Sequence, residues 1–213
     1  MVRLAVSLAL AYALGSLPTG LLVARAFGEP DVRRSGSGSS GAANVLRVVG
    51  WRAALPVVLV DLAKGWLAAQ LVILAAHPGT PLDRDGLGLL GGLAAVVGHV
   101  WPLLAGGRGG RGVATAGGAV LAVAPLAFAL ALAAFIAFAL ATRYVSVASL
   151  AAAVMLPLGL VLARWLGSEP IRPAPLAIAS VISLTVLFTH RANLERLHSG
   201  QEPKLGVRPQ GFQ

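Results

Sequence analysis

Long apolar runs alternate along the chain with short tracts that hold most of its charge. Seven runs stand out: Leu4 to Phe27, Arg52 to Ala76, Leu87 to Ala105, Gly112 to Ala124, Leu126 to Ala141, Val147 to Leu166 and Ala174 to His190. One bilayer crossing takes about 20 apolar residues as a helix. At about 1.5 Å per residue, the thirteen residues from Gly112 and the sixteen from Leu126 fall short of a hydrocarbon core, or barely reach across it. A single helix over Gly112 to Ala141 is the alternative. Pro125, near its centre, removes a backbone donor and breaks or kinks it, so the pattern predicts two short segments there.

The split also sets the parity of the chain. With seven segments, the tracts after Phe27, at Gly106 to Arg111, at Arg143 to Ser149 and after His190 share one side. That side carries Arg25, Arg33, Arg34, Arg47, Arg52, Arg108, Arg111, Arg143, Arg191, Arg196, Lys204 and Arg208, and the other mainly Arg3, Arg84, Arg164 and Arg172. Positive residues mark the cytoplasmic face, so the N-terminus is expected outside and the C-terminus inside. The run after Arg3 is too long for a signal-peptide core and leads into a basic stretch, so it reads as a retained first span. The expected fold is all-α and polytopic, a single membrane domain over residues 1–213 with no separate soluble part and no internal repeat.

Composition agrees. Hydrophobic residues make up 57% and charged residues 12%, with a mean hydropathy of +0.81, against roughly 25% charged in soluble domains. The net charge of +9 comes from basic residues placed between apolar runs rather than on one face. That placement suits phosphate or anionic lipid better than nucleic acid. The absence of cysteine removes a disulfide framework, a thiolate nucleophile and a thiolate metal site.

Several polar tracts carry candidate chemistry. Ser35 to Arg47 combines glycines and serines ahead of a helix-like run, so Ser37, Gly38, Asn44 and Arg47 can gather amides, hydroxyls and a planar fork around an anion. A flexible linker is the plainer reading. Gly106 to Thr115 is denser in glycine than one turn needs and holds Arg108 and Arg111; a basic lipid-facing loop is its plainer reading. His99, just before it, fits a buried hydrogen-bonding role as well as a catalytic one. Asp61 and Lys64 share a helical face inside an apolar run, where ionised groups need partners, and a mutual bracing pair is expected. Ser146 and Ser149 open the sixth segment as a cap or a site. His190 and Asn193 lie on one stripe of the exit helix and can face one ligand, or belong to a solvated basic helix.

Taken together, these tracts resemble the PlsY family of bacterial acyl-phosphate:glycerol-3-phosphate acyltransferases. The matching positions are Gly15-Ser16, the glycine-serine loop ending in Asn44 and Arg47, Asp61 to Gly65, Gly98-His99 to Thr115, Tyr144 to Ser149, and His190 to Leu197 with Gly200 and Glu202. They cover about Leu14 to Lys204. The chain departs from the family pattern with Ser39 in place of an asparagine, Ala43 in place of a threonine, and Arg108 and Arg111 in place of lysines.

The resemblance implies seven transmembrane helices, an outward N-terminus and an active site on the cytoplasmic face of the bacterial inner membrane. It implies transfer of an acyl group from a long-chain acyl phosphate to the 1-hydroxyl of sn-glycerol 3-phosphate, without acyl-CoA, acyl carrier protein, cofactor or metal. A peripheral acyl-phosphate synthase is the implied upstream partner. By resemblance, Ser37, Arg47 and Arg111 hold glycerol 3-phosphate with Gly38, Asn44 and Arg108 beside them, while Ser146, His190 and Asn193 serve the acyl phosphate. Asp61, Lys64, Ser149 and Glu202 are expected to support the site. The hydroxyl proton can go to His190, to His99 or to the substrate's own phosphate, and the resemblance favours the last. The short fourth and fifth segments would leave a lipid-facing groove for the acyl tail. Two rivals fit the bare residues: a transporter for a phosphorylated solute and a scaffold that binds anionic lipid.

Overall fold

The computed structural model describes residues 2–77, 79–80, 82–167 and 170–206. Arg208, counted above with the cytoplasmic cations, lies outside the described residues. Among the described residues the regular structure is entirely helical: α1 (Val2–Gly15), α2 (Thr19–Ala26), α3 (Ala42–Val48), α4 (Trp51–Leu74), α5 (Arg84–Val100), α6 (Val113–Val123), α7 (Pro125–Thr142), α8 (Val145–Leu166), α9 (Pro173–Thr189) and α10 (Arg191–His198). Five stretches are long and apolar enough to cross a bilayer, and α9 with α10, bent by 50°, is a sixth.

The first run is not one helix. It breaks at Ser16 to Pro18, because Pro18 has no N–H to continue α1. The break leaves the Leu17 carbonyl without a helical partner, and Lys64 Nζ, from the middle of α4, donates to it at 3.3 Å. The break falls in the least apolar part of the run, Gly15-Ser16-Leu17-Pro18-Thr19-Gly20, although the run as a whole is long enough for one span.

Pro125 acts as expected at its own position and differently downstream. Ala124 leaves the helical region at φ −143°, and Pro125 opens α7 at its first residue, where a missing N–H costs nothing. However, α7 then runs for 18 residues to Thr142 and meets the length of a span. Of the two segments expected to be short, only α6 is short: its 11 residues rise about 16 Å.

Glycines let the helices touch backbone to backbone. A β-carbon at Gly15 would lie 2.1 Å from the Ala95 carbonyl oxygen, and one at Gly98 2.2 Å from that of Tyr12, which fixes α1 against α5. Likewise Gly65 meets the Thr115 carbonyl and Gly118 that of Leu62, where α4 crosses α6. Small residues at such crossings are how helices associate where lipid removes the hydrophobic drive. The largest buried cluster joins Leu89, Val96, Val120, Leu156, Ile182 and Val186 from α5, α6, α8 and α9. Exposed leucines such as Leu10, Leu59, Leu140 and Leu184 form the outer surface of the bundle. Water would not tolerate so much apolar surface, and lipid does.

At the end of the bundle away from the glycine-rich tracts, Arg164 pairs with Asp85, and Arg172 with Asp83 at 2.6 Å. Two arginines of the less basic side are therefore neutralised locally.

Candidate active site

The opposite end holds a tight polar cluster built from four separate stretches of chain. Glu202 is its centre. The Asn193 side-chain amide donates to Glu202 Oε1 at 2.7 Å, Arg196 Nε donates to Oε2 at 2.8 Å, and Arg47 Nη2 lies 3.7 Å from Oε1. The Ser146 hydroxyl faces the same carboxylate. Glu202 reaches this place because α10 ends in a turn at Gly200 (φ +72°), after which the amides of Gln201 and Glu202 both donate to the Arg196 carbonyl. Beyond it, Leu205 exchanges hydrogen bonds with Arg143: its amide donates to the Arg143 carbonyl at 2.7 Å and its carbonyl accepts from Arg143 Nη2 at 3.0 Å.

Charge in this cluster is unbalanced. Burial lowers the Arg111 guanidinium to about 10, with Arg196 and Arg47 adding repulsion and Glu202 opposing it. Burial also lowers Arg47, against the pull of Glu202. For Glu202 the order reverses: burial would raise its carboxyl, but hydrogen bonds from Asn193 and Arg196 outweigh that and leave it below the usual glutamate range. Three guanidinium groups thus surround one carboxylate. Several of the buried polar atoms here have no hydrogen-bond partner among the described residues: Arg47 Nη1, Arg196 Nη2, Asn193 Oδ1 and, in the neighbouring loop, Ser37 Oγ. Buried donors and acceptors normally find partners, and where the protein supplies none, water, an ion or a ligand does.

The glycine-rich loops serve this cluster differently from expectation. The amides of Gly106, Gly107, Gly109 and Gly110 donate to the Leu103, Pro102, Val100 and His99 carbonyls, so they do not form an anion cradle. What approaches their backbone is the chain itself, since a β-carbon at Gly110 would lie 2.1 Å from His99 Nε2. The first loop behaves alike. Asn44 is 1% exposed. Its amide nitrogen donates to the carbonyls of Val32, Ser35 and Ser39, and its oxygen accepts from the Ser37 amide at 2.7 Å. The Gly38 amide donates to the Ser35 carbonyl. Asn44 and Gly38, expected at a phosphate, therefore shape the loop that presents Ser37 and Arg47. The two loops meet where the Ser40 amide donates to the Gly109 carbonyl at 3.3 Å. Arg108 is exposed, and its carbonyl accepts from Arg33, whereas Arg111 turns inward with its own carbonyl held by Thr189 Oγ1 at 3.0 Å.

His190 sits at the bend between α9 and α10 and is 1% exposed. Its Nδ1 is 2.8 Å from the Val186 carbonyl. A carbonyl only accepts, so Nδ1 carries a proton and the neutral ring offers Nε2 as an acceptor. His99 stands apart from the Glu202 cluster. Its Nδ1 lies 3.6 Å from Asp61 Oδ1, and Lys64 Nζ is 2.8 Å from the same oxygen. Of the residues singled out in the sequence, Arg47, Arg111, Ser146, Asn193 and Glu202 thus belong to a cationic cluster and Asp61, Lys64 and His99 to a second buried group, while Gly38 and Asn44 brace a loop and Arg108 lies at the surface. Arg196, Thr189 and the Leu17 carbonyl were not singled out, although Arg196 stands three residues after Asn193 on the same exit helix.

Arg111 of the first group and Asp61 and His99 of the second line one cavity of about 410 Å³. Asp61, His99, Arg111 and His190 form its polar end, and Ser149, Leu156, Phe128, Leu132 and Phe135 continue it as an apolar channel. No group of three or more His, Cys, Asp or Glu residues arranged to hold a metal occurs among the described residues.

Comparison with known proteins agrees on one family. The family described as glycerol-3-phosphate acyltransferase matches residues 5–200. Curated glycerol-3-phosphate acyltransferases from Salinibacter ruber and Chlorobaculum parvum are 38% and 36% identical; the alignments cover 96% and 92% of this chain and 93% of each relative. The crystal structure of PlsY, an integral membrane glycerol 3-phosphate acyltransferase, in its glycerol 3-phosphate form superposes with a TM-score of 0.82 at 32% identity, covering 95% of this chain and 96% of that one. The lysophosphatidic acid form superposes with a TM-score of 0.79 at 31% identity, covering 95% of each chain.

Proposed function

The chain belongs to the glycerol-3-phosphate acyltransferase family of integral membrane proteins, and from that premise we propose that it moves a long-chain acyl group from acyl phosphate to the 1-hydroxyl of sn-glycerol 3-phosphate. The observation that carries this reading is the charge of the Glu202 cluster. Arg47, Arg111 and Arg196 around a single carboxylate leave two positive charges uncompensated. A phosphate monoester carries about −1.5 to −2 near neutral pH. Arg111, with His190 beside it, also lines a largely apolar cavity, which suits a donor that joins a phosphoryl head to an acyl tail.

In the reaction, the 1-hydroxyl oxygen attacks the acyl carbonyl carbon. A new ester bond forms, the bond from that carbon to the phosphate oxygen breaks, and inorganic phosphate leaves with the electron pair. A mixed anhydride is already activated, so positioning and electrostatic stabilisation supply most of the acceleration. Arg47, Arg111 and Ser37 hold glycerol 3-phosphate. Arg196 and Asn193 stabilise the departing phosphate, and Ser146 stands beside them. The neutral His190 ring, with Nδ1 committed to Val186, directs Nε2 at the hydroxyl, where it orients the nucleophile and takes its proton. The carboxylate of Glu202 positions these cations and Asn193.

The same reading treats residues 1–213 as one domain, counts α6 as a seventh, partial crossing, and puts the N-terminus outside, the C-terminus and the site on the cytoplasmic face of the bacterial inner membrane. It makes the reaction the first acylation of phospholipid synthesis, fed by a peripheral acyl-phosphate synthase. Support comes from the distribution of arginines described above and from the gathering of the polar groups at one end of the bundle. That gathering also disfavours a transporter, whose site belongs near the bilayer midplane with access from both sides.

The deciding experiment supplies palmitoyl phosphate and glycerol 3-phosphate to the purified, detergent-solubilised protein. Lysophosphatidic acid and phosphate should appear in equal amounts, and palmitoyl-CoA should not replace the acyl phosphate. Formation of neither product would overturn the proposal.

A further inference from the structure

The apolar part of the cavity stops at one level on four helices. Its deepest lining residues are Leu62 on α4, Gly117 on α6, Phe128 on α7 and Leu156 on α8. From Val145, at the polar end of α8, to Leu156 is eleven residues, a rise of about 16 Å. That is roughly half of a hydrocarbon core near 30 Å, so the channel spans one leaflet.

At this level a bulky ring faces a residue with no side chain. A β-carbon built at Gly117 would lie in ordinary contact, 3.4 Å from Phe128 Cε2 and 3.8 Å from Leu62 Cδ1, so the Phe128 ring and Leu62 stand across from α6 with room for little more than a methyl group between them. Gly117 is not among the glycines with a left-handed φ, and its helical neighbours do not need it. A side chain larger than a methyl group at this position would press on the ring where the cavity ends.

We propose that Phe128, across from Gly117, is the stop that sets the length of acyl chain this protein accepts. The proposal rests on the acyl-transfer reading above for its ligand and on the cavity for its geometry. A chain lying along the channel from the phosphate cluster meets the ring end-on, and each methylene beyond that point must displace it. A hydrophobic pocket discriminates one methylene by roughly 10-fold or more when it cannot yield.

The test compares wild type, Phe128→Ala and Gly117→Leu on acyl phosphates from lauroyl to stearoyl. Phe128→Ala should raise the stearoyl-to-myristoyl ratio of kcat/KM by about tenfold, and Gly117→Leu should lower it by a similar factor. Phe128→Leu serves if the alanine variant does not fold. Unchanged chain-length profiles in folded, active variants overturn the proposal. If wild type transfers no acyl group, the failure lies with the acyl-transfer reading, and the stop is then read from binding alone: thermal stabilisation by dodecyl to octadecyl phosphate should peak at a longer chain in Phe128→Ala and a shorter one in Gly117→Leu. The same peak in all three proteins overturns it.

Discussion

The side-chain amide of Asn193 donates to Glu202 Oε1 at 2.7 Å and thereby joins the exit helix to the strand of chain that returns after it. Both side chains are buried, and Arg47 and Arg196 close on the same carboxylate. The spacing of the cations and the stability of the chain are therefore coupled at this point, because the group that holds the cations is also the group that fastens the chain's last described turn.

Glu202 gives the first prediction. Its carboxyl lies below the usual 4.5, so it is more readily ionised in the folded protein than in the unfolded chain. The stability it contributes is present above pH about 4.5 and is lost as pH falls through the lower folded value. Wild type should lose thermal stability on acidification in that window, and Glu202→Gln should start lower at pH 7 and change less. Equal acid sensitivity in the two proteins, measured by thermal unfolding in detergent, would count against the assignment.

Arg47 offers a planar fork with Nη1 unpartnered and Nη2 turned to Glu202. Arg47→Lys keeps the charge and loses the second donor direction, and should raise the KM for glycerol 3-phosphate by about 10- to 100-fold with a smaller effect on kcat. Arg47→Ala should abolish measurable turnover while the protein still elutes as a folded species. Near-normal KM in the lysine variant refutes a bidentate role.

Much of this architecture is visible in the sequence because lipid imposes long apolar runs, and runs survive inspection one at a time. The Pro125 break is legible for the same reason, since proline acts on its own helix. Pro18, between Ser16 and Thr19, carries the same signal inside Leu4 to Phe27, but the run as a whole is long enough for one span and reads as one; its consequence, a carbonyl for Lys64, is not legible because it lies in another helix. The loops mislead in a related way. Glycine density shows that something approaches closely, but not whether it is an anion or the His99 ring. Asn44 reads as a ligand from its place in a glycine-serine loop, while its four bonds to Val32, Ser35, Ser37 and Ser39 exist only once the loop closes. Arg196 and the Arg143–Leu205 exchange join positions that no spacing rule connects.

His190 supplies a test of the proton's destination. With Nδ1–H held by Val186, Nε2 is free to accept from a hydroxyl. His190→Ala should lower kcat by about 10²- to 10⁴-fold, the usual worth of general base catalysis, and its residual activity should lose the acidic limb of the pH–rate profile. A retained limb would assign the proton to the substrate's own phosphate instead.

Arg143 is the one described residue other than glycine with a left-handed backbone, at φ 62°. That conformation turns its carbonyl toward the Leu205 amide and so holds the segment that carries Glu202. Arg143→Gly suits the backbone and removes only the Nη2 bond to Leu205, so activity should fall a few-fold at most. Arg143→Val forces a β-branched residue into this region, at a cost of about 1–3 kcal/mol. It should lower both Tm and kcat. Equal behaviour of the two variants would show that the backbone exchange does not position Glu202.

Asp61 and Lys64 allow the value of a buried pair to be measured directly. Both side chains are 3% exposed, their charged atoms are 2.8 Å apart, His99 stands 3.6 Å from the same carboxylate oxygen, and Lys64 also satisfies the Leu17 carbonyl at the α1–α2 break. Removing one partner leaves a charge in a place that cannot hydrate it, so Lys64→Met should destabilise the protein by about 3–5 kcal/mol. Removing both leaves a methionine and a leucine among apolar neighbours, and the Leu17 carbonyl keeps the Thr19 amide and hydroxyl as donors. The double variant Asp61→Leu/Lys64→Met should therefore be clearly more stable than the two single losses summed. His99 loses its neighbour in that variant too, but the bonds of Asp61 and Lys64 run to each other, His99 and Leu17 and not to the Glu202 cluster, so the double variant should keep its KM for glycerol 3-phosphate. Additive losses would mean that the two charges do not compensate each other, and a raised KM would mean that the group reaches the substrate through His99.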